Sequence, residues 1–215
     1  MLERLTWIKQ STYRWAGDGL TVYVDSWGAG RDAQPADVVF ITHAHYDHFD
    51  PDDIATIRTK DTVFMAPRDV ARELTGEVTA IAPGDSIDVK GIKGQAVPAY
   101  NIAEHRVDNH PQANGWVGYV LELGGSTYYF SGDTDALPEL EDVRTDVAFV
   151  CVGGDPFVME PGEAAGLVKA MEPQLAVPNH YGWAVGTPAN AEEFQRQAEP
   201  VKVEILSPVV PFDKT

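Results

Sequence analysis

One cysteine in 215 residues rules out an internal disulfide, and Cys151 lies in the apolar run Val147-Ala148-Phe149-Val150-Cys151-Val152, where a buried, inert thiol is expected rather than a nucleophile. Long hydrophobic runs are also missing. No stretch approaches the roughly 20 apolar residues of a membrane span, and the opening Met1-Leu2-Glu3-Arg4-Leu5 lacks the basic-then-apolar layout of a signal peptide. A cytoplasmic protein without a membrane span is therefore expected. Basic residues are scarce, 16 Lys and Arg against 33 Asp and Glu, for a formal charge of -17. Such a field repels long nucleic acid, although salt confines it to about 8 Å. The acidity fits a well-solvated surface as well as it fits a salty cytoplasm. A Gly-x-Ser-x-Gly elbow is absent, so no serine nucleophile is expected on that pattern.

What is present reads as one domain over residues 1–215, with a hydrophobic fraction of 44% that suits a globular core. Short β-branched and aromatic runs bounded by Gly, Pro, Asp or Asn predict strands at 5–9, 20–25, 38–42, 62–65, 78–81, 86–89, 92–97, 116–123, 127–131, 146–152, 175–177 and 203–206. Helices are predicted at 51–58, 68–74, 161–171 and 189–198, the first opened by Asp50 as N-cap with Pro51 behind it. Gly124-Gly125 marks a hairpin turn. Two strand-rich halves, each with its own helices, predict an α/β fold of two sheets packed face to face with helices outside.

The six histidines are unevenly placed, and three of them fall in Thr42-His43-Ala44-His45-Tyr46-Asp47-His48. Neutral imidazoles and carboxylates are the common ligands of zinc and similar ions. The run begins where Val38-Val39-Phe40-Ile41, a continuous apolar strand, ends, so a rigid element places it. His43 and His45, two residues apart, can face one ion, while Asp47 and His48 can be aimed at a second. Two ions need further donors, and His110, Asp133 and His180 each stand near the end of a strand.

With these residues in view, the chain resembles the metallo-β-lactamase superfamily, whose mark is His-x-His-x-Asp-His followed by a later His, an Asp and a final His. The same order runs here from Asp25 to His180. The segments Val97-Pro98-Ala99-Tyr100-Asn101, His110-Pro111 to Tyr119, and Ser131-Gly132-Asp133-Thr134-Asp135 look most like the small stand-alone hydrolases related to ascorbate-phosphate lactonase and the N-acyl-phosphatidylethanolamine phospholipase D. The resemblance implies a four-layer αβ/βα sandwich with two mixed sheets. It also implies a dinuclear centre: His43, His45 and His110 on one ion, Asp47, His48 and His180 on the other, and Asp133 bridging. Asp25 matches an upstream aspartate that orients a ligand histidine. Many of these relatives have the third histidine directly after the strand, where this chain has Asn101. His110 lies nine residues later and is preferred because imidazole is the better zinc donor, with His105 and Asn101 as alternatives.

The implied cofactor is a pair of divalent ions, Zn2+ first, with Mn2+, Fe2+ or Ni2+ accepted by the same donors. Such ions lower the pKa of water towards about 7 and supply hydroxide without a protein nucleophile. The expected function is hydrolysis of a small anionic or ester-type substrate, an ester, lactone or phosphodiester, by a metal-bridging hydroxide. Asp47 is expected to orient that hydroxide or carry its proton. A mononuclear iron oxygenase on the same fold and a non-catalytic metal-binding protein are the alternatives. Tyr46, Tyr100, Phe157, Tyr181 and Trp183 are candidate pocket walls because they neighbour the ligands in sequence, with a core placement the stronger reading for Phe157.

Overall fold

Alternation along the strands builds two faces at once. In the computed structural model, which describes residues 1–214, β4 (Val38–Phe40) turns Val38 and Phe40 towards one core and Val39 towards another. It can do so because both faces of its sheet are covered. That sheet contains β1 (Leu5–Lys9), β2 (Thr12–Gly17), β3 (Leu20–Val24), β4, β5 (Val63–Ala66) and β6 (Glu77–Ala80), in chain order. The first three strands run antiparallel, and β3 to β6 pair in parallel. The second sheet runs β12 (Leu175–Asn179), β11 (Val147–Cys151), β10 (Ser126–Phe130), β9 (Val117–Leu123), β8 (Ile92–Pro98) and β7 (Ser86–Val89). Its β10, β11 and β12 are parallel and the rest antiparallel, so both sheets are mixed.

The sheets meet through large rings. Tyr13 of β2 lies 4.6 Å from Phe149 of β11, and Phe40 of β4 lies 5.2 Å from Tyr119 of β9, centroid to centroid. Each of these four rings is buried to 1% exposure or less, and burial of one contributes on the order of 2–3 kcal/mol. On the outer face of the first sheet, α1 (Pro51–Ile57) and α2 (Arg68–Ala71) cover Tyr23, Val39, Ile41 and Phe64. On the second, α3 (Pro161–Met171) and α4 (Pro188–Gln197) pack on each other, on β11 and on β12. Asp50 opens α1 as its cap, accepting from Asp52 N at 2.9 Å and Asp53 N at 3.1 Å. The expected four-layer sandwich with two mixed sheets is what forms.

The elements depart from the sequence reading in three places. β2 was not expected, although Tyr13 and Trp15 point inward and Arg14 outward as a strand requires. α2 stops at Ala71 rather than 74, the chain turning there to reach β6. The strand expected at 203–206 does not form: only Val203 bridges, to Ala176. The reason lies in β12. Ala176 sends its N–H to Lys202 O and accepts from Glu204 N, so its outward edge is open, but Pro178, two residues on and facing the same way, has no N–H with which to continue the ladder. The Gly124-Gly125 turn forms as expected, with φ of 58° and 83° joining Leu123 to Ser126. Two positive φ angles in a two-residue loop match the right-handed twist of the strands and favour glycine. Among the described residues no helix is long and apolar enough to cross a membrane.

Candidate metal centre

Carboxyl ends of parallel strands converge at one edge of the sandwich, as they do at binding sites of α/β sheets generally. Asp25 follows β3, His43 and His45 follow β4, Asp133 follows β10 and His180 follows β12. Asp25 and His180 both take left-handed φ, 59° in each case, which non-glycine residues hold only where surrounding contacts enforce it. Gly132 has φ 61°, and a Cβ there would stand 3.0 Å from Val117 O and 3.2 Å from Thr42 Cβ. Only glycine lets the chain pass this close to the histidine run and deliver Asp133.

Seven side chains gather in two groups. His43, His45, His110 and Asp133 form one, and Asp47, His48 and His180 the other; within each, one donor atom per residue lies within 4.8 Å of all the rest. Asp133 stands between them: its Oδ2 is 2.9 Å from His180 Nε2 and 3.2 Å from His110 Nε2, and its Oδ1 is 3.2 Å from His48 Nε2. These contacts are short but not aligned as hydrogen bonds, so His48 Nε2, His110 Nε2, His180 Nε2 and Asp133 Oδ1 are buried without a bonding partner. Buried polar atoms are almost always satisfied. Donor atoms that crowd within 4.8 Å of one another, several of them buried without a bonding partner, have the arrangement of a ligand set.

The outer nitrogens are held from behind. His48 Nδ1 contacts Asp25 Oδ2 at 2.6 Å, and Asp25 Oδ1 accepts from Thr42 N at 2.8 Å. Thr42 Oγ1 lies 3.0 Å from His43 Nδ1. Tyr119 of the second sheet donates to Ile41 O at 2.8 Å, fixing the backbone just before the histidine run. Trp116 lies 4.9 Å from the His43 and His45 rings and 5.7 Å from His110, with its Nε1 tied to Asp69 Oδ2 at 2.7 Å.

Burial and mutual charge set the protonation. Burial would raise Asp133 and Asp47, yet the neighbouring imidazoles win: Asp133 falls well below the carboxylate range, and Asp47, beside His48 and His180, falls to about 2. Burial would lower His48 and His180, but Asp133 and its companion carboxylates outweigh it, lifting His48 well above the usual histidine value and His180 to about 9. His43 is pulled well down by burial and by the like charge of His48. Carboxylates and imidazoles thus favour each other's charged forms, and the carboxylate charge is one that a bound cation would also meet.

The loop after β8 brings His110 into the first group. Asn101 is buried behind it, its Nδ2 3.2 Å from His110 Nδ1, and His105 is exposed, 2.8 Å from Asp155. A cavity of about 270 Å³ opens over the site, with Tyr46, Asn109, Phe157 and Ala184 among its walls and His45, Asp47, His110, Asp133 and His180 as its floor. Of the five expected wall residues, Tyr46 and Phe157 line it, and Phe157 is surface rather than core. The other three do not. Tyr100 turns its hydroxyl to Glu139 at 2.7 Å, Tyr181 is fully buried 5.3 Å from the Trp7 ring, and Trp183 donates to Pro211 O at 3.0 Å. Tyr181 and Trp183, which follow the left-handed His180, both join the core. Cys151 is fully buried, and burial pushes its thiol up to about 12, as suits an inert residue.

Sequence reasoning missed Gln10, Thr42, Arg106, Asn109 and Trp116. Gln10 gives its Nε2 to Asp47 Oδ2 at 3.1 Å, and Arg106 is a buried cation under the His110 loop. The sequence neighbours of Gln10 carry no sign of a site and Arg106 adjoins only His105, which lies outside it, so only the fold brings these two to it. Thr42 and Asn109, by contrast, adjoin the candidate ligands His43 and His110, and Trp116 follows His110 by six residues.

Residues 4–180 match the family described as "Beta-lactamase superfamily domain". A UPF0173 metal-dependent hydrolase from Methanoculleus marisnigri is 33% identical over 219 residues, covering 95% of this chain and 94% of that one. Another, from Methanopyrus kandleri, is 29% identical over 231 residues and covers 98% of this chain and the whole of its own. The crystal structure of a proposed metal-dependent hydrolase from Parabacteroides distasonis superposes with a TM-score of 0.82 at 29% identity, over 94% of this chain and 91% of that one.

Proposed function

The chain belongs to the UPF0173 metal-dependent hydrolases of the β-lactamase superfamily, and from that premise we propose that it hydrolyses a small ester, lactone or phosphodiester at a dinuclear centre. His43, His45 and His110 would hold one ion, Asp47, His48 and His180 the second, and Asp133 both. The observation that carries this reading is the pair of donor groups joined by Asp133, with inward-facing nitrogens that no protein partner satisfies. Nitrogen and carboxylate donors without thiolate suit zinc first, and manganese, iron or nickel by supply. When bound, such ions supply Lewis acidity and activate water at neutral pH.

The protein's own groups do the rest. Asp47 belongs to the second group and also lines the cavity, and its carboxylate is ionised at neutral pH. That placement suits it to orient the attacking water and to pass a proton to the leaving oxygen. Asp25 and Thr42 fix the rings of His48 and His43, so the donors need not reorganise as charge develops. An oxygenase with a single ion would leave Asp47, His48 and His180 without a task.

Metal analysis after zinc loading, with assays on bis-p-nitrophenyl phosphate and a lactone panel, tests the reading. Two ions per chain and turnover that vanishes in folded Asp133→Ala are expected. One iron per chain with oxygen consumption, or full turnover by metal-verified Asp133→Ala, would overturn it.

A further inference from the structure

Two exposed aromatic side chains, Tyr46 and Phe157, line the cavity over the site. Of seven large hydrophobic residues exposed among the described residues, four stand on the segments that frame the cavity. Tyr46 is in the histidine run, Ile102 and Val107 are on the loop that ends in Asn109 and His110, and Phe157 is in the loop before α3. Single apolar residues on a surface are ordinary, but Tyr46 and Phe157 line the cavity itself, and two exposed rings on one cavity mark a recognition surface.

These walls are braced. The Tyr46 ring meets Trp27 edge-on, 5.6 Å between centroids, and Lys9 Nζ rests 3.3 Å from the Trp27 ring centre. In the other wall the Phe157 carbonyl accepts from Asn101 Nδ2, and the Pro156 carbonyl from Asn109 Nδ2, both at 2.8 Å. The Tyr46 ring and the Phe157 backbone therefore stand on fixed supports, while both rings remain open to solvent, 65% for Tyr46 and 37% for Phe157. Charge adds a second constraint. Beside the imidazoles of His45, His110 and His180, the lining holds the carboxylates of Asp47 and Asp133 and, among the described residues, neither lysine nor arginine, and the ammonium of Lys9 is occupied by Trp27. A phosphodiester would bring its anion against apolar walls, with only the ions to meet it. A neutral carbonyl brings no charge to desolvate.

We propose that the site takes a neutral carboxylic ester or lactone bearing an apolar acyl chain, the carbonyl towards the histidine floor and the chain against Tyr46 and Phe157. This rests on the hydrolase reading above. Water adds to the carbonyl carbon, the acyl carbon–oxygen bond breaks, and a proton from that water passes to the leaving alkoxide. An ester gives an acid and an alcohol, a lactone gives a hydroxy acid, and no other reactant is consumed.

Protein with its ions counted is assayed on p-nitrophenyl acetate, butyrate, hexanoate and octanoate, on alkyl δ-lactones of rising chain length, and on bis-p-nitrophenyl phosphate. We expect kcat/KM to rise about fourfold per buried methylene until the cavity is filled, the increment that burial of about 0.8 kcal/mol implies, and to exceed that for the diester. In Phe157→Ala and Tyr46→Ala the rise per methylene flattens, a ratio within the series that a general loss of turnover does not move. Calorimetric binding of acetate through octanoate should follow the same trend without turnover. A flat series in both turnover and binding, or a diester preferred over every ester, overturns the substrate class and leaves the hydrolase reading standing. No hydrolysis of any substrate by protein carrying its ions defeats the hydrolase reading, and this inference with it.

Discussion

Gln10 reaches Asp47 from the tip of the first hairpin, its Nε2 3.1 Å from Asp47 Oδ2, while its backbone carbonyl accepts the N–H of His180 at 3.2 Å. One turn residue therefore supports two of the three members of the second donor group. It does so in a left-handed conformation, φ 49°, and in complete burial. Gln10→Ala keeps the backbone contact and removes the amide. Loss of a hydrogen bond to a charged group costs about 1.5–3 kcal/mol, which leaves the fold standing, and loss of an orienting partner weakens metal affinity about 10–100-fold. Competition with a chelator measures this, and metal release should begin at a lower chelator concentration than in the parent protein. Identical release curves would detach Gln10 from the centre.

Asp25 is the corresponding support for His48, at 2.6 Å, with Thr42 N–H and hydroxyl on its other oxygen. Asp25→Ala strands those buried donors and should destabilise the protein by about 3–5 kcal/mol. Asp25→Asn preserves volume and some hydrogen bonding but removes the charge that makes His48 a strong donor. Metal affinity in Asp25→Asn should fall about 10–100-fold with a smaller loss of melting temperature. A variant that melts early yet binds metal as the parent does would make Asp25 purely structural.

Legibility from sequence followed the physics of each position. The run from His43 to His48 could be read because ligand-type residues stand directly after a strand apolar on both faces, and Asp133 and His180 share that placement. His110 was harder, since its approach depends on a loop folded by Asn101 and Arg106, neither of which is a ligand type. Gln10 could not be found: the turn from β1 to β2 was not visible, and a Gln-Ser-Thr step suggests nothing about a centre formed by residues 37 positions away. Sequence adjacency misled at Tyr181 and Trp183, which follow the left-handed His180 and are buried in the core. The strand expected at 203–206 failed on Pro178, a residue in the partner strand, which no inspection of the segment itself could reveal.

Stability of the metal-free protein should depend on pH in a way the loaded protein does not share. His180 is raised to about 9, since Asp133 and Asp47 outweigh the effect of burial, and His48 moves the same way. A group raised on folding stabilises fully below its unfolded pKa, about 6.5 for histidine, and that stabilisation is lost as pH rises through the folded value. In chelator, the unfolding free energy should therefore fall between about pH 6.5 and 9, with a slope near 1.4 kcal/mol per pH unit for each proton involved, and the melting temperature with it. Asp47, lowered to about 2, contributes stability above the unfolded carboxylate value that is lost as pH falls towards 2. Metal binding at pH 7 should also release protons, seen calorimetrically as a heat that depends on the buffer's ionisation enthalpy. Parallel melting profiles with and without ions would contradict the protonated state.

Arg106 gives the sharpest separation between the two donor groups. Its buried guanidinium bonds Val158 O at 2.6 Å and Glu163 at 2.7 and 2.9 Å, and lies 3.2 Å from Asp135 Oδ1. Asp135 in turn accepts from Ile102 N and Ala103 N, so one cation ties the His110 loop to the segments that carry Asp133 and Phe157. The planar fork matters here, because an ammonium cannot reach these partners together. Arg106→Met leaves Asp135 buried without its counterion and should cost about 3–5 kcal/mol, so Glu163→Gln, which keeps an acceptor at the exposed arm, is the milder companion. Both should loosen His110 before they touch Asp47, His48 and His180, none of which contacts the clamp. Cobalt loaded into Arg106→Met should then bind tightly at one site and weakly at the other, with the visible spectrum changed only for the weak ion, and Glu163→Gln should show the same asymmetry in smaller degree. Equal weakening of both ions would mean that Arg106 serves the fold as a whole rather than the His110 arm of the centre.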